Sequence, residues 1–385
     1  MLDIHNIINS LRNKGIRFIT GVPDTLLNDF CLTLKDTWNQ SEHVIAANEG
    51  NAIALAAGYH LATKSVPLIY MQNSGMGNAM NPLISLSDKC VYSIPMVLLI
   101  GWRGEPGSGD WPQHKRQGEL SPVLLDALNI PYRILDEKED DALKSIEWSI
   151  ETASNLNQPT ALLVKKNVLA KKEKSGFDGL SQEYKLTREE AITEIVKSAP
   201  KNTLFVASTG RITRELHAIR GMLNQTHGND FLNVGAMGHA VSIASGIASA
   251  KPEKNVICLD GDAAVLMHMG SMAISANLKL NNLLHIVLNN GVHESVGGQD
   301  SVGFQVNLNE IAKQSGYRTL DKYIENRAQI ADGMKAMNNI IGPSFIELRI
   351  KKGMRDDMPV LKIDTLKSKE GDDTQPIVFQ LGGNF

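Results

Sequence analysis

The sequence predicts an α/β protein in two halves, each a mostly parallel sheet flanked by helices. Three observations predict it. Apolar runs rich in Val, Ile and Leu recur along the chain; segments with helical periodicity separate them; and 385 residues, 42% hydrophobic and 21% charged, suit two globular domains better than one. Continuous apolar runs of this kind mark strands buried on both faces, as a parallel sheet covered by helices demands.

Taken in order, the first half opens on a helix from Ile4 to Arg12, with Ile4, Ile7, Ile8 and Leu11 on one face. Strands follow at "VPLIYMQ" from residue 66, "IPMVLLIG" from 94 and "ALLVKK" from 161. The stretch "KKNVLAKKEKSGFDGLSQEYK" then loses all periodicity and reads as a linker. A second helix spans Thr187 to Lys197, where Thr187 precedes Glu190 as a capping box. Further strands are "TLFVAS" from 203, "NVICLD" from 255, "LLHIVLNN" from 283 and "SFIELRI" from 344. The expected division is residues 1–165, a linker at 166–185, residues 186–365 and a polar tail at 366–385.

Bulk properties exclude several function classes. Thirty-nine Lys and Arg against forty-two Asp and Glu give a net charge of -3, so no basic field for nucleic acid exists and an anion must be held by local groups. No window approaches the ~18 apolar residues of a membrane span, and the N-terminal stretch has no apolar core of a leader; a cytoplasmic protein is expected. Cys31, Cys90 and Cys258 are odd in number and set among apolar neighbours, which predicts reduced core thiols.

Chemistry should sit where the strands end, because open parallel sheets bind ligands at their carboxyl edge. "NVICLD" runs into Gly261-Asp262-Ala263, and 28 residues beyond Asp262 the next strand ends in Asn289-Asn290. A carboxylate, an amide oxygen and a nearby backbone carbonyl form a shell of hard oxygens suited to Mg²⁺, which completes its coordination with phosphate and water. Gly261 is expected to allow a sharp turn, and the amides of Ala263 and Ala264 to meet a phosphate. Taken singly, such an Asp also serves as a helix N-cap and Asn-Asn-Gly as a plain turn. In the first half, "HVIAANEGNAIALAAGYHLAT" puts Glu49 after a short strand, at the head of a helix of small residues that permits close approach. Complementing the helix dipole is its alternative role.

The pair "GDA" and "NNG" resembles the GDG…NN signature of the thiamine diphosphate-dependent enzymes. That resemblance implies thiamine diphosphate and Mg²⁺, or another divalent cation, as cofactors, with Asp262, Asn290 and the Val292 carbonyl on the metal; Ala263 stands where the signature has its last glycine. It implies Glu49 as the carboxyl that activates the aminopyrimidine, with Gly75, Gly77 and Asn78 of "QNSGMGNAMNP" beside that ring and Ser74 facing the substrate. From "GAMGHA" it implies Met237 as the apolar wedge and Gly238 and His239 as diphosphate neighbours. Ser208, Thr209 and Gly210 of "ASTGRITRE", with Gly261, Ala263 and Ala264, complete the implied diphosphate contacts.

With only a linker between the halves, the chain lacks the central third domain of many such enzymes. From about residue 15 to 320 it is similar to the phosphonopyruvate and sulfopyruvate decarboxylase group, in "TGVPDTLL", "NEGNAIALAAGYHLAT", "IGWRGEPG", "PQHKRQG" and "HIVLNNGVHESVGGQ". The likeness implies a first domain that binds the pyrimidine, a second that binds the diphosphate, and decarboxylation of 3-phosphonopyruvate to phosphonoacetaldehyde and CO₂. A substrate with two anionic ends needs cations, and the loop "GWRGEPGSGDWPQHKRQG" offers Arg103 and His114 ahead of Lys115, with Arg116 beside them. Asp24, His293 and Glu294 are candidates for proton handling. The likeness also implies a homo-oligomer, at least a dimer with shared sites, the Ala/Gly-rich helices at 49–62 and 238–250 being suited to its interface. A sulfonate substrate, a carboligase and a noncatalytic partner subunit are the alternatives; Glu49, Asp262 and Asn290 together in one chain speak against the last.

Overall fold

The computed structural model describes residues 1–169, 184–338 and 341–355. The chain divides into two units, Met1–Asp178 with Val296–Gln299, and Gly179–Ser295 with Asp300–Phe385.

In the first unit, strands β1 (Ile19–Gly21), β2 (His43–Ile45), β3 (Leu68–Gln72), β4 (Met96–Gly101), β5 (Tyr132–Ile134) and β6 (Pro159–Val164) form one sheet in the order β2-β1-β3-β4-β6-β5. Every neighbouring pair is parallel. Helices α1 (Ile4–Asn13), α2 (Asn28–Thr37), α3 (Glu49–Thr63), α4 (Met76–Pro82), α5 (Pro112–Ala127) and α6 (Glu139–Leu156) accompany it. Side chains alternate along each strand, so the two faces build separate cores. Leu68, Tyr70, Val97 and Leu99 join Ile4, Ile7, Ile8 and Leu11 of α1. Ile69, Met71, Met96, Leu98 and Ile100 join Ala52, Ile53 and Ala56 of α3 on the other face. Each large apolar side chain buried this way contributes about 1.5–3 kcal/mol, which is why these runs carry no polar interruption.

The second unit repeats the plan. Strands β7 (Leu204–Ala207), β8 (Asp230–Leu232), β9 (Val256–Gly261), β10 (Leu283–Asn289), β13 (Arg318–Thr319) and β14 (Ser344–Arg349) lie in the order β13-β14-β10-β9-β7-β8, all parallel; β11 (Val292–His293) and β12 (Gln299–Asp300) are two-residue strands. Its helices are α7 (Arg188–Ser198), α8 (Arg211–Met222), α9 (Ala240–Ala250), α10 (Asp262–Met267), α11 (Gly270–Asn277), α12 (Leu308–Ser315) and α13 (Ala328–Asn338). Ile257, Leu259, Leu284, Ile286 and Leu288 face α7, α8 and α13, while Val256, Cys258 and Leu283 face α9. Thr187 and Glu190 make both halves of the expected capping box.

Three expectations need correction. The linker begins later than residue 166: Leu2 N–H donates to the Val168 carbonyl, and Val168 and Leu169 belong to the first core. At its other end Tyr184 is 6% exposed, while residues 170–183 of the linker and the tail at 366–385 lie outside the described residues. Cys31 and Cys258 are buried free thiols, but Cys90 is exposed, because it sits in the turn after the π-helical stretch Leu83–Ser87 and before β4. His114, Lys115 and Arg116 stand on the first turns of α5 and not in a loop. Among the described residues no helix is long and apolar enough to cross a membrane.

Candidate active site

At the head of α3, Asn48 caps the helix by accepting from the Asn51 N–H at 2.9 Å, which places Glu49 in the first turn. Glu49 is 6% exposed, and its Oε2 accepts from Asn78 Nδ2 at 2.8 Å. Gly75 comes so close that a Cβ there would strike the Glu49 carboxylate. The structure thus brings Glu49, Gly75 and Asn78 together. Gly77 is exposed, with nothing within 4 Å of a Cβ built on it, so it is not part of that contact.

A second carboxylate lies at the carboxyl edge of the same sheet. Asp24 is fully buried, and Gly101 at the end of β4 leaves no room for a Cβ beside its Oδ2. Its Oδ1 accepts from Gln72 Nε2 at 2.6 Å, and Gln72 Oε1 accepts from Ser74 Oγ at 2.8 Å. A hydrogen-bonded line therefore runs from exposed Ser74 to buried Asp24. Burial pushes the Asp24 carboxyl above its ordinary range, against the hydrogen bonds from Gln72 and Leu26 and the charge of Arg103.

Arg103 is held by a partner the sequence did not disclose. Its Nε and Nη2 donate to the two carboxylate oxygens of Asp110 at 2.6 and 2.7 Å, a bidentate fork. Burial opposes ionisation of Asp110, but hydrogen bonds from Arg103, Trp111 and Gly104 outweigh it and hold the carboxyl well below its usual range. Asn73 steadies the same corner, donating to the Arg103 carbonyl at 2.8 Å and to Ser121 Oγ at 2.9 Å. Half-buried His114 has its proton affinity lowered, first by burial and then by the charge of Arg103. Lys115 and Arg116 are exposed, and Arg116 pairs with Glu119 at 2.9 Å on the surface. Asp110 was one of two acids in a glycine-rich run, and only folding could match it, and not Glu105, to Arg103.

In the second unit, register does the placing. Leu288 pairs with Gly261 across β10 and β9, so the next residues of each strand, Asn289 and Asp262, emerge side by side with Asn290 following. Asp262 is 2% exposed and opens α10. Burial pushes its carboxyl up to about 6, although Ser301 Oγ and the N–H groups of Asn290 and Ala263 donate to it. Asn290 Nδ2 donates to Glu294 Oε2 at 3.1 Å, and its Oδ1 accepts from the Val292 N–H at 3.2 Å, which fixes which way the amide points. Asn289 is structural: its Nδ2 donates to the Gly303 carbonyl at 2.8 Å and to Glu347 at 2.9 Å. Ser301 escaped the sequence reading because nothing in "GGQDSVGFQ" marks which hydroxyl turns inward.

Gly261 needs a different account from the one expected. Its φ of -106° and ψ of 154° are ordinary extended backbone, so no sharp turn occurs there. Ala263 lies in α10 at negative φ, so the place where the signature has glycine accepts alanine without strain. Of the residues implied to meet the diphosphate, the left-handed ones are Gly210 and Gly238, at φ +100° and +84°. A Cβ on Gly210 would come within 2.6 Å of Ser295 Oγ, and one on Gly238 within 2.6 Å of His268 and 3.1 Å of the Ala264 carbonyl. Gly238 thus packs on α10, beside the Asp262 edge. Half-buried Met237 and exposed His239 flank it, and His239 faces His268 with ring centres 4.5 Å apart. Ser208 is 1% exposed and its Oγ has no partner among the described residues, an orphaned hydroxyl beside half-buried Thr209.

Glu294 is occupied by structure. Its Oε2 accepts from Arg188 Nη1 at 2.5 Å, and Arg188 forks onto Glu215 at 2.9 and 2.8 Å. All three are at most 9% exposed. This ion-pair network uses Glu294 to orient Asn290 and leaves it poorly placed for moving protons; His293, its half-buried neighbour, is outside the network.

The family described as thiamine pyrophosphate enzyme, N-terminal TPP binding domain, matches residues 4–127, and its C-terminal TPP binding domain matches residues 208–348. A phosphonopyruvate decarboxylase of Streptomyces viridochromogenes is 28% identical over 372 residues, 93% of this chain and 91% of that protein. A sulfopyruvate decarboxylase of Methanosarcina acetivorans is 25% identical over 369 residues, 90% of this chain and 91% of that protein. The sulfopyruvate decarboxylase subunit alpha of Methanocaldococcus jannaschii is 30% identical over 183 residues, covering 47% of this chain and 96% of that subunit. Two parallel sheets, each with a buried carboxylate at its carboxyl edge, and these matches agree: the chain belongs to the thiamine pyrophosphate enzymes, in the group of the phosphonopyruvate and sulfopyruvate decarboxylases.

Proposed function

We propose that the chain decarboxylates 3-phosphonopyruvate to phosphonoacetaldehyde and CO₂ in the cytoplasm, with thiamine diphosphate and Mg²⁺, as a homo-oligomer of at least two copies. One observation carries the reading: a single chain holds both a buried Glu49 bonded to Asn78 and a buried Asp262–Asn290 strand edge, and its likeness to a phosphonopyruvate decarboxylase spans both.

The residues fit the cofactor. Asp262, the Asn290 amide oxygen and the Val292 carbonyl form an oxygen-only set, which suits Mg²⁺ and not a softer ion. The orphaned Ser208 hydroxyl and the left-handed Gly210 and Gly238, with the amides of Ala263 and Ala264, are where a diphosphate would be held. Glu49 would meet the aminopyrimidine and activate it, with Gly75 and Asn78 beside it. Bound in this way, thiamine diphosphate supplies a thiazolium that accepts the electron pair released as CO₂ departs.

The rest falls to the chain's own groups. Arg103, with Nε and Nη2 committed to Asp110, offers Nη1 to the phosphonate, and His114 adds a second donor. Asp24 would fix the Gln72 amide by accepting from its Nε2, and the Gln72 oxygen in turn would hold the Ser74 hydroxyl in place beside the substrate. A sulfonate substrate has the support of the sulfopyruvate relatives. Measuring CO₂ and trapped aldehyde from phosphonopyruvate and sulfopyruvate in parallel, with thiamine diphosphate and Mg²⁺ supplied, decides between them. Preferential turnover of the phosphonate is expected; preference for the sulfonate would overturn this choice.

A further inference from the structure

Three side chains with metal-binding atoms meet in the core of the second unit, none of them among the residues assigned above. Cys258 and Asp260 are two apart on β9 and share one face of the strand, and His285 on β10 lies directly opposite Cys258. All three are 0% exposed. One ligand atom from each, a thiol sulfur, a carboxylate oxygen and an imidazole nitrogen, lies within 4.8 Å of the others. Asp260 Oδ2 and His285 Nε2 are 3.5 Å apart, outside good hydrogen-bonding range. Among the described residues, Asp260 Oδ2 and both ring nitrogens of His285 have no hydrogen-bond partner, although Asp260 Oδ1 accepts from the Gly261 N–H at 3.0 Å. Buried polar atoms are almost always satisfied, and here several unsatisfied ones converge from adjacent strands.

We propose that Cys258, Asp260 and His285 are ligands of a Zn²⁺ ion, in a site separate from the Mg²⁺ set at Asp262. A thiolate, an imidazole and a carboxylate are the donors Zn²⁺ takes, at bond lengths that leave ligand atoms of a tetrahedral shell about 3–4 Å apart, so a small inward adjustment suffices. Mg²⁺ prefers oxygen alone and would not compete. Burial and the neighbouring Asp260 hold the Cys258 thiol protonated, well above its ordinary range; a cation at bonding distance reverses this. Binding therefore forms the zinc–sulfur bond and releases the thiol proton to solvent. Phe345, at right angles to His285 with ring centres 5.4 Å apart, walls the site. An ion here would clamp β9 to β10 just before both strands reach Asp262 and Asn290.

The test uses the full chain with Cys90→Ser, which removes the exposed thiol, saturated with thiamine diphosphate and Mg²⁺. Added Co²⁺ is expected to bind once per chain with a thiolate-to-metal charge-transfer absorption, to be displaced by Zn²⁺, and to lose both properties in Cys258→Ala while thiamine diphosphate binding persists. Absence of the charge-transfer band, or equal Co²⁺ uptake by Cys258→Ala, would overturn the proposal. X-ray absorption of the zinc-loaded protein needs no substitution at Cys258: a sulfur neighbour supports the site, and a shell of oxygen and nitrogen alone contradicts it.

Discussion

The acids of the site separate by what meets them. Asp110 is matched by an arginine fork and stays ionised, Asp262 meets only hydrogen-bond donors and is pushed up to about 6, and Asp24 is raised by burial. Removing Asp110 should therefore free Arg103 to wander. Asp110→Ala is expected to raise KM for phosphonopyruvate roughly ten- to a hundred-fold, the worth of charge-assisted hydrogen bonds, with kcat changed less; steady-state kinetics read both. Histidine 43 predicts a pH effect of another kind. Half-buried against Tyr70, with Nε2 3.0 Å from the hydroxyl, His43 is lowered by desolvation from the usual 6.5 to about 4. The folded state prefers the neutral ring while the unfolded chain takes a proton, so this stability is present above pH 6.5 and lost as pH falls toward 4. Thermal unfolding between those values should show the loss, and His43→Gln should flatten it. Asp262 and Asn290 were legible in the sequence because each follows a strand of unmistakable composition. Asp110, Gln72 and Ser301 were not, because a hydrogen bond between side chains brought together by folding leaves no period to read.

Among the elements, legibility followed length. β4, β6, β9, β10 and β14 each run six or seven residues and fill both faces, so their apolar runs stand out. β1, β5 and β8 have three residues each, too few for any pattern, and pair only because a longer neighbour holds them. The start of α5 was misread for a physical reason. Pro112 and Gly118 look like breakers, yet proline suits a first helical turn, where its missing N–H is not needed. Gly118 is required because the Gly104 carbonyl passes where a Cβ would be. Helix caps gave the firmest reading: Thr187 and Glu190 satisfy each other's backbone N–H. Thr187→Ala is expected to lower unfolding free energy by about 1 kcal/mol, read by urea denaturation, with KM unchanged because the capping box lies at the exposed start of α7 and leaves the Arg188–Glu294 pair in place.

For the molecule as a whole, two similar α/β units share one design, a sheet whose carboxyl edge carries a buried carboxylate. Composition and apolar runs made that architecture readable; the identity of the substrate rests on the Arg103 corner and on relatives, since phosphonate and sulfonate differ too little for a sequence to tell apart. The central claim is that Glu49 acts on the cofactor without being what anchors it, anchoring being the work of the Asp262 edge. Glu49→Gln keeps the size and the hydrogen bond to Asn78 but removes the acid. Calorimetric titration with thiamine diphosphate and Mg²⁺, alongside CO₂ release from phosphonopyruvate, tests this most directly. The account predicts near-normal cofactor binding with turnover reduced by about 10²–10⁴-fold; near-normal turnover in Glu49→Gln would contradict it.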